Sequence, residues 1–560
     1  MLSYRKLAMR VLGRPLHTGG SDSPRPASQR AAAFALTAAM LITLAAPAFA
    51  GTWHIENGDI TISAGESGND VTQNNVTTKN DTNTIITNEN KDIASSHTVT
   101  IDAGNDKVEV TLEDVNIKAD SGSALISNGD VTLTLKGDNS LTGGISGNGS
   151  GRNGIASSGS LTISGGEKDS LTAQGGNGGD GIYGGDGITS SGSLTISGGT
   201  VTATGGDSTG SVGSGGSGIY SVSGDVTISG GTVNANGGDC GDGNYSDGGS
   251  GIRISSRSLT IYDGKVNAKG GNGGDGNYSA GGNGISSSGS ITISGGTVDA
   301  KGGNSGNGNY SAGGNGIRSG GGVTISGNTV NAAGGNGGKV GGYGICSFDR
   351  VAISGGTVEA AGGNGSTGGG SGIYSSVIDL SGSLELTAKA GSPTGKALLQ
   401  NGRELDLDTI KDKLGPGAKV TAINANGDSK QVSIPRPVEP EKPVIPEEPS
   451  SSSDGGSSAP SAPASSLPGL TVTDKDGQRI SYTSTQSGNT LTVCVGRFTA
   501  SLRISLSTLR QLRAEGIETI TFQTILCSTT LSVDELLAMG GEDAEAVLTH
   551  RLTDSSLTVG

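Results

Sequence analysis

The chain has 560 residues, of which 104 are glycine, 31% are hydrophobic and only 3% are aromatic. So few large apolar side chains cannot fill a bulky globular core, but they can fill a thin prism with stacked aliphatic residues. The formal net charge is −15, and an acidic surface disfavours nucleic acid and anionic lipid as partners.

Residues 1–50 have the pattern of a secretory signal peptide. Arginine and lysine residues precede an apolar run from Ala31 to Ala46, and Ala48-Phe49-Ala50 provides a small-residue cleavage site. The apolar run is short for a membrane span, so we expect cleavage, with a retained anchor as the alternative. No later segment is expected to cross a membrane as a helix. The mature protein is therefore expected to be secreted or associated with the cell surface.

Residues 51–150 are expected to form an N-terminal cap and the irregular first coils of a repeat array. Val108–Leu112 and Val131–Leu135 alternate apolar and polar residues, as β-strands do. The stretch from 66 to 97 is rich in Asn and Thr and is expected to form surface loops or a cap, because terminal repeats are atypical.

A Gly-Ile pair recurs through residues 151–400 with a period of about 32 residues that shortens to 28. Two more short apolar-polar-apolar segments follow each pair and are closed by Gly-Gly, as in Leu194–Ser197 and Val201–Ala203. A fixed period of this length is typical of a solenoid. The isoleucines of the pairs are Ile155, Ile188, Ile219, Ile252, Ile285, Ile317, Ile345 and Ile373.

Alternation directs Leu194, Ile196 and Val201 to one face of the strands and Thr195 and Thr202 to the other. Because the same positions return in the next repeat, the inward residues are expected to stack as aliphatic columns. Parallel strands need a covered face, and the interior of a coil provides one. The sequence therefore predicts an all-β fold, a parallel β-helix that is right-handed by the crossover rule.

The periodicity fades near residue 390. Residues 401–434 are expected to form a transition and residues 435–468 a Pro- and Ser-rich linker. Residues 469–560 are predicted to form a separate small α+β domain of unknown role. Its predicted strands cover 480–486, 490–496 and 517–523, and its predicted helices cover 505–514 and 533–539.

The four cysteines do not define a disulfide framework. Cys240 and Cys346 belong to coils about three rungs apart, which is roughly 15 Å and beyond the reach of a disulfide. Cys494 and Cys527 share the C-terminal domain, where a disulfide and two packed free thiols are both open.

Metal sites have little support in the sequence. The histidines are scattered, so a zinc site has no ligand cluster. Gly175–Tyr183 matches a calcium-binding nonapeptide and makes Asp180 a weak calcium candidate. That motif works in tandem nine-residue copies, whereas related loops return here only every 32 or so residues.

The best candidate for a ligand site is a Gly-Asp/Asn-Gly-Asn-Tyr loop that occurs in three successive repeats. Its tyrosines are 33 and 32 residues apart and are expected to stack as a column, one rung apart. Flat aromatic faces suit the apolar C–H surface of sugar rings, and carboxylates and amides suit hydroxyl groups. The alternative is that the tyrosines only hold the loops together. The candidate ligand-binding residues are Tyr245, Tyr278, Tyr310, Asp242, Asp275 and Asn307.

Catalytic residues are not apparent in the repeat array. Asp299 and Glu359 are expected two rungs apart, so they do not form a compact acid and base pair. No histidine accompanies a serine or cysteine nucleophile in the array. The sequence therefore predicts a protein that is not an enzyme.

The segments Trp53–Ile62, Val108–Ile117 and Val131–Leu141, followed by tandem Ile-Ser-Gly-Gly-Thr-Val units, resemble the clostridial carbohydrate-binding β-helix proteins. The resemblance covers about residues 52–390. It implies a pectate-lyase-like fold and an exported, non-catalytic protein that binds plant polysaccharides such as cellulose and pectin and holds calcium on the helix. No acidic cluster of this chain allows a calcium site to be carried over residue by residue.

The leading expectation is a secreted or cell-surface protein that binds polysaccharide, either of the plant cell wall or of a host, without cleaving it. The alternative is a structural adhesin or stalk, in which the solenoid is a rigid spacer and the C-terminal domain recognises the partner. A polysaccharide lyase or hydrolase comes third.

Overall fold

The computed structural model describes residues 50–435 and 469–559. Short gaps in these ranges are 180–181, 210–212, 475–476, 481, 488, 496, 498, 525–527, 540–543 and 552–553. Outside the described residues lie the predicted signal peptide before Ala50 and the predicted linker after residue 435. Asp180 and Cys527 also lie outside them. Within the described part of the chain, no helix combines the length and the apolar character needed to cross a bilayer.

The main body is a β-solenoid of about 14 turns with a repeat of about 31 residues. This confirms the predicted parallel β-helix. Each regular coil contributes one strand to each of three parallel ladders, which we name A, B and C in chain order. Residues pair in the register of the repeat: in ladder A, Ile155 lies opposite Ile188, and in ladder B, Leu161 lies opposite Leu194.

Ladders A and B share one sheet. The regular strands of ladder A are Ile155–Ser157, Ile188–Ser190, Ile219–Ser221, Ile252–Ile254, Ile285–Ser287, Ile317–Ser319 and Leu398–Gln400. Those of ladder B are Leu161–Gly165, Leu194–Ile196, Val226–Ile228, Leu259–Ile261, Ile291–Ile293 and Val323–Ile325. Long strands that contribute to both ladders are Val99–Glu113, Leu125–Lys136, Ile345–Ile353 and Ile373–Leu380.

Ladder C forms a second sheet of twelve strands. Its parallel strands are Asn116–Lys118, Asp138–Thr142, Ser170–Gln174, Thr200–Thr204, Thr232–Asn236, Lys265–Lys269, Thr297–Lys301, Thr329–Ala333, Gly356–Ala361, Leu384–Lys389 and Lys419–Ile423. Long glycine-rich loops lead from ladder C to ladder A of the next coil, and these loops carry the candidate site.

The predicted inward residues form the core. Leu194, Ile196, Val201 and Ala203 are all 0% exposed, and one apolar cluster runs from the first coil to the last. Each fully buried aliphatic side chain contributes about 1.5–3 kcal/mol, so the columns supply the main driving force for coil stacking.

A column of inward serines lines the corner between ladders A and B, which the aliphatic pattern did not predict. Ser190 Oγ donates a hydrogen bond to the Gly192 carbonyl at 2.8 Å, and Ser221 Oγ donates to the Gly224 carbonyl at 2.6 Å. Apart from the Ser127 hydroxyl, which has no hydrogen-bond partner among the described residues, the hydroxyls of the column satisfy turn carbonyls that a buried corner would otherwise leave unpaired. The buried serines of the column are Ser127, Ser157, Ser190, Ser221, Ser287, Ser319, Ser347 and Ser375.

Both ends of the solenoid carry antiparallel strands. Residues 66–97, expected as surface loops or a cap, contain three strands joined by turns and followed by a loop. Ile60–Ala64 pairs antiparallel with Asn69–Gln73, which pairs antiparallel with Val76–Asp81. At the other end, Ser429–Ser433 folds back antiparallel on Lys419–Ile423. Such strands cover parallel edges that would otherwise be open to another chain. The remaining end elements are Thr52–His54, Thr84–Thr87, Arg403–Glu404 and the 3-10 helices Ile55–Asn57 and Leu407–Lys413.

Residues 469–559 have a hydrophobic core of their own. The helix Leu506–Ala514 begins where Ser505 Oγ accepts the Thr508 N–H, and it ends before Gly516, which has a φ of +90°. The second helix is Val533–Met539. The strands form two four-stranded sheets: Leu470–Thr473, Thr499–Ser505, Glu545–Arg551 and Asp554–Val559 in one, and Thr483–Ser487, Thr490–Cys494, Thr519–Gln523 and Ser528–Ser532 in the other.

His550 lies in this second core and makes its stability sensitive to acid. The residue is 0% exposed, its ring centroid is 4.8 Å from that of Phe522, and its ring nitrogens contact the hydroxyls of Thr524 and Thr529. Burial disfavours the imidazolium and lowers the pKa of His550. Its contribution to stability is therefore complete above the ordinary histidine pKa of about 6.5 and is lost as the pH falls towards the lowered value of the folded state.

We expect hydrogen exchange of residues 469–559 in the full chain to accelerate between pH 7 and pH 5, after correction for the intrinsic pH dependence of exchange. The variant His550→Gln removes the titrating group and is expected to lose this pH response, whatever its own stability. An equal response in the variant and in the wild-type chain would contradict the assignment to His550.

Candidate functional site

The three tyrosines of the repeated loop form a stacked column, as their spacing predicts. The ring centroids of Tyr245 and Tyr278 are 5.0 Å apart with an interplanar angle of 1°, and those of Tyr278 and Tyr310 are 4.9 Å apart with an angle of 6°. The side chains are 62%, 48% and 60% exposed in chain order. We call these three residues the tyrosine column.

The ring faces are largely used inside the column, which differs from the expected arrangement. Both faces of Tyr278 are covered by neighbouring rings. The second face of Tyr310 lies under Lys339, whose Nζ is 4.7 Å from the ring centroid, within the range of a cation–π contact. The column therefore presents ring edges and hydroxyl groups to solvent at steps of about one rung, and Tyr278 and Tyr310 offer no open face on which a sugar could stack.

The candidate acidic and amide residues beside the column hold neighbouring loops together. Asp242 Oδ1 accepts the Asp275 N–H at 3.3 Å, and Asp275 Oδ1 accepts the Asn307 N–H at 3.1 Å. All three side chains are exposed. One oxygen of each aspartate thus serves the stack, and this contact fixes the direction in which the second oxygen points.

A second row of such contacts runs along the start of the loops. Asp207 Oδ1 accepts the Asp239 N–H at 2.8 Å, and Asp239 Oδ1 accepts the Asn272 N–H at 2.6 Å. The row continues through Asn304 and Asn336. Each contact satisfies a loop N–H that has no strand partner. In this region without strands, the side-chain oxygens therefore replace the carbonyl acceptors that a neighbouring β-strand would provide.

Buried serine hydroxyls fix two of the three tyrosine loops from beneath. Ser246, Ser279 and Ser311 directly follow the three tyrosines and are 0% exposed. Ser279 Oγ donates to the Gly243 carbonyl at 2.7 Å, and Ser311 Oγ donates to the Gly308 carbonyl at 2.7 Å. Sequence reasoning missed this role, although the recurring Tyr-Ser pair is a signal that could have indicated it.

The two ends of each long loop meet in a neck built from glycine backbone. The Gly238 N–H donates to the Gly216 carbonyl, the Gly249 N–H to the Gly238 carbonyl and the Gly271 N–H to the Gly249 carbonyl, each at 2.8 Å. A Cβ atom at Gly238 would lie 2.1 Å from the Gly206 carbonyl oxygen. The glycine neck brings the backbones closer together than any side chain permits, and it aligns the loops so that the tyrosines stack.

A separate cluster lies on the outer face of ladder A. The guanidinium carbon of Arg253 is 5.2 Å from the ring centroid of Tyr220. Asp186 accepts the Ser217 N–H at 2.6 Å and the Thr189 hydroxyl at 2.9 Å, and burial raises the pKa of Asp186. Arg253 thus contacts the Tyr220 ring, and the Asp186 carboxylate is bound by a backbone N–H and a hydroxyl group.

The residues weighed for catalysis and metal binding stay apart. Asp299 and Glu359 occupy one outward column of ladder C with Asn331 between them, so they are two rungs apart as predicted. Among the residues that the structure describes, no three His, Cys, Asp or Glu side chains are grouped closely enough to hold a metal ion. Calcium binding stays a prediction, since Asp180 is outside the described residues.

The cysteines of the solenoid are free thiols. Cys240 and Cys346 are unbonded, and Cys494 is also a free thiol. Burial raises the pKa of Cys240 to about 11 and that of Cys346 to about 11. Both thiols are therefore protonated near neutral pH, and they are poor nucleophiles.

Comparison of the chain with protein-family models, with curated proteins and with solved structures gives no match. The resemblance to the clostridial β-helix proteins accordingly rests on the sequence motifs alone and stays a prediction.

Proposed function

We propose that this protein is a non-catalytic β-helix that binds an extended polysaccharide along the tyrosine column. The observation that carries the proposal is the column itself, three in-register tyrosines that are about half exposed or more and are repeated at steps of 5.0 and 4.9 Å. A regular row of hydroxyl groups and apolar ring edges suits a polymer whose sugar units also repeat at regular steps, so each ring meets an equivalent part of the ligand.

The side chains of the column and its loops are held by contacts that do not depend on a ligand. Ring stacking, the axial contacts of Asp242 and Asp275, and the buried hydroxyls of Ser279 and Ser311 all restrict side chains that would otherwise lose freedom on binding. Preorganisation reduces the entropic cost of association, which matters for a shallow surface with few contacts per sugar.

The charge beside the column favours neutral glycans. Asp242 and Asp275 offer carboxylate oxygens to sugar hydroxyls but repel the carboxylates of a polyuronate such as pectate. Lys339, at the end of the column, is a cation that contacts the Tyr310 ring. A cellulose-like chain therefore fits the surface better than pectate, whose binding would require a bridging cation such as calcium.

A rigid spacer is the second candidate function. The ring faces of the column and one oxygen each of Asp242 and Asp275 form contacts between coils. This is expected if the loops serve mainly to stiffen a long stalk. In that case the C-terminal domain would recognise the partner.

A binding assay with the mature chain, starting at Gly51, separates these functions. We expect it to be retained on insoluble cellulose without releasing soluble sugar. Replacing all three column tyrosines by alanine is expected to weaken binding about 30-fold or more, as the loss of a hot spot does. Tyr183→Ala is the matched control, because Tyr183 is 64% exposed but lies outside the column.

Pectin and host glycans, each with calcium and with chelator, complete the assay. Unchanged retention of the triple variant would rule out the tyrosine column as the binding surface. No retention on any polysaccharide would favour the spacer, and release of unsaturated or reducing ends would show an enzyme.

A further inference from the structure

A buried carboxylate lies beside the backbone nitrogen of Gly51. Asp81 is 1% exposed. Its Oδ1 accepts the Gly51 N–H at 2.9 Å and the Asn83 N–H at 3.2 Å, and its Oδ2 accepts the Trp53 indole N–H at 2.9 Å. The contacts with Gly51 and Trp53 join the start of the first coil to the end of the antiparallel strand Val76–Asp81.

Asp81 has hydrogen-bond donors but no counter-charge. In the described ranges of the chain, no lysine, arginine or histidine forms an ion pair with it. Lys107 lines the same surface cavity as Asp81, but its Nζ is 2.7 Å from Glu109 Oε1. Burying an ionised carboxylate is costly unless a cation compensates it, and neutral donors do so only in part.

The nitrogen of Gly51 is also the atom that cleavage at the predicted signal-peptide site would convert into a cation. Ala48-Phe49-Ala50 places that cleavage between Ala50 and Gly51. Ala50 is exposed whereas Gly51 is buried, so the side from which residue 50 departs would open to water and hydrate the remaining ammonium protons.

We propose that the Ala50–Gly51 peptide bond is the processing site of this chain and that Asp81 is the receptor for the α-ammonium group created on Gly51. A peptidase would add water across the bond: the C–N bond breaks, a C–O bond forms, Ala50 leaves as a carboxylate, and the Gly51 amine takes up a proton. The neutral N–H contact at 2.9 Å then becomes a charge-assisted hydrogen bond. This inference is independent of the proposed glycan binding.

Processing would thereby strengthen the first coil. The Gly51 carbonyl accepts the Ile85 N–H at 2.9 Å, and Thr52–His54 pairs with the strand Thr84–Thr87. Because Gly51 is buried in the folded chain, cleavage must precede closure of this coil. The uncleaved precursor keeps an uncompensated carboxylate at its N-terminal cap, which favours an open and exportable chain.

The first experiment locates the cleavage site. The full precursor is expressed in a bacterium that exports it, and the N-terminus of the exported protein is determined by intact mass and by sequencing of its N-terminal peptide. We expect Gly51 at the N-terminus. Any other first residue overturns the proposal.

The second experiment tests the receptor. Chains that begin at Gly51 or at Ala50 are prepared with Asp81 or with Asp81→Asn, and the rate of amine acylation is measured against pH. We expect the Gly51 amine to have a pKa about one unit above its usual value of about 7.7–8.0, hence about fivefold slower acylation near pH 8. The amine of the chain that begins at Ala50 should keep the usual pKa and acylation rate. The Gly51 amine of the Asp81→Asn chain should do the same.

Trp53→Phe provides a control for the fold of the cap. It removes another hydrogen bond to Asp81 but keeps the carboxylate, so the Gly51 amine should stay slow to react. Because the pKa is raised in the folded state, the stability gained should be complete below the ordinary amine pKa and be lost as the pH rises through the raised value. Equal reactivity of the Gly51 amine with Asp81 and with Asp81→Asn overturns the receptor.

Discussion

Gly271→Ala is expected to destabilise the middle coils by about 3 kcal/mol, at the upper end of the usual cost of overpacking. A Cβ atom at this position would lie 2.0 Å from the Gly238 carbonyl oxygen and 2.5 Å from its carbon. Both atoms belong to the backbone of the glycine neck, which is hydrogen-bonded on either side, so neither can move without shifting a neighbouring coil.

Gly368→Ala is the matched control, because Gly368 lies in a loop of the same kind but its added Cβ would have no neighbour nearer than 3.8 Å. Coils of a solenoid can open locally, so hydrogen exchange of the peptides that cover residues 237–282 is the appropriate measurement. We expect faster exchange there in Gly271→Ala and little change in Gly368→Ala. Equal behaviour of the two variants would contradict the close packing of the glycine neck.

Asn328→Gly is expected to stabilise the chain by about 1–3 kcal/mol, the cost of leaving buried polar groups unpaired. Asn328 is 7% exposed, and neither its Nδ2 nor its Oδ1 has a hydrogen-bond partner. It occupies the turn position that Gly199, Gly231, Gly264 and Gly296 hold in the preceding coils. Those glycines have positive φ, whereas in this coil the positive φ falls on Gly327.

The shifted turn also interrupts a row of backbone contacts. The Gly231 carbonyl accepts the Lys265 N–H and the Gly264 carbonyl accepts the Thr297 N–H, each at 2.9 Å. Among the described residues, the equivalent hydrogen bond from the Thr329 N–H to the Gly296 carbonyl is absent in the next coil. Glycine at position 328 can take the usual turn and restore it.

The reciprocal change Gly296→Asn is expected to destabilise the chain by at least as much, since Gly296 has a φ of +80° and an added Cβ would lie 2.2 Å from the Gly264 carbonyl oxygen. Chemical denaturation monitored by circular dichroism gives the sign of both effects. A loss of stability in Asn328→Gly would show that the asparagine turn is preferred at this corner.

The repeat made much of the fold predictable. In a solenoid the period of the sequence is also the register of the sheet, so the spacing of Ile155 and Ile188 gives their pairing directly. The same argument placed Leu194 and Ile196 in the core and stacked the tyrosine column. It did not give the strand pairing within residues 66–97, expected only as surface loops or a cap, because antiparallel hairpins at the end of an array have no preceding repeat to set their register.

The sequence by itself determined the coil, its inward columns and the neighbours of the tyrosines, because all of these follow from local alternation and a constant period. Only the tertiary structure decided which surfaces those residues leave open. Four features depend on distances between backbones that are far apart in sequence. They are the covered faces of Tyr278, the hydrogen-bonded oxygens of Asp242 and Asp275, the close contacts of Gly271, and the burial of Asp81 against Gly51. Periodicity specifies which residues are neighbours, whereas the depth of the loops and the course of the chain ends set how closely those neighbours approach.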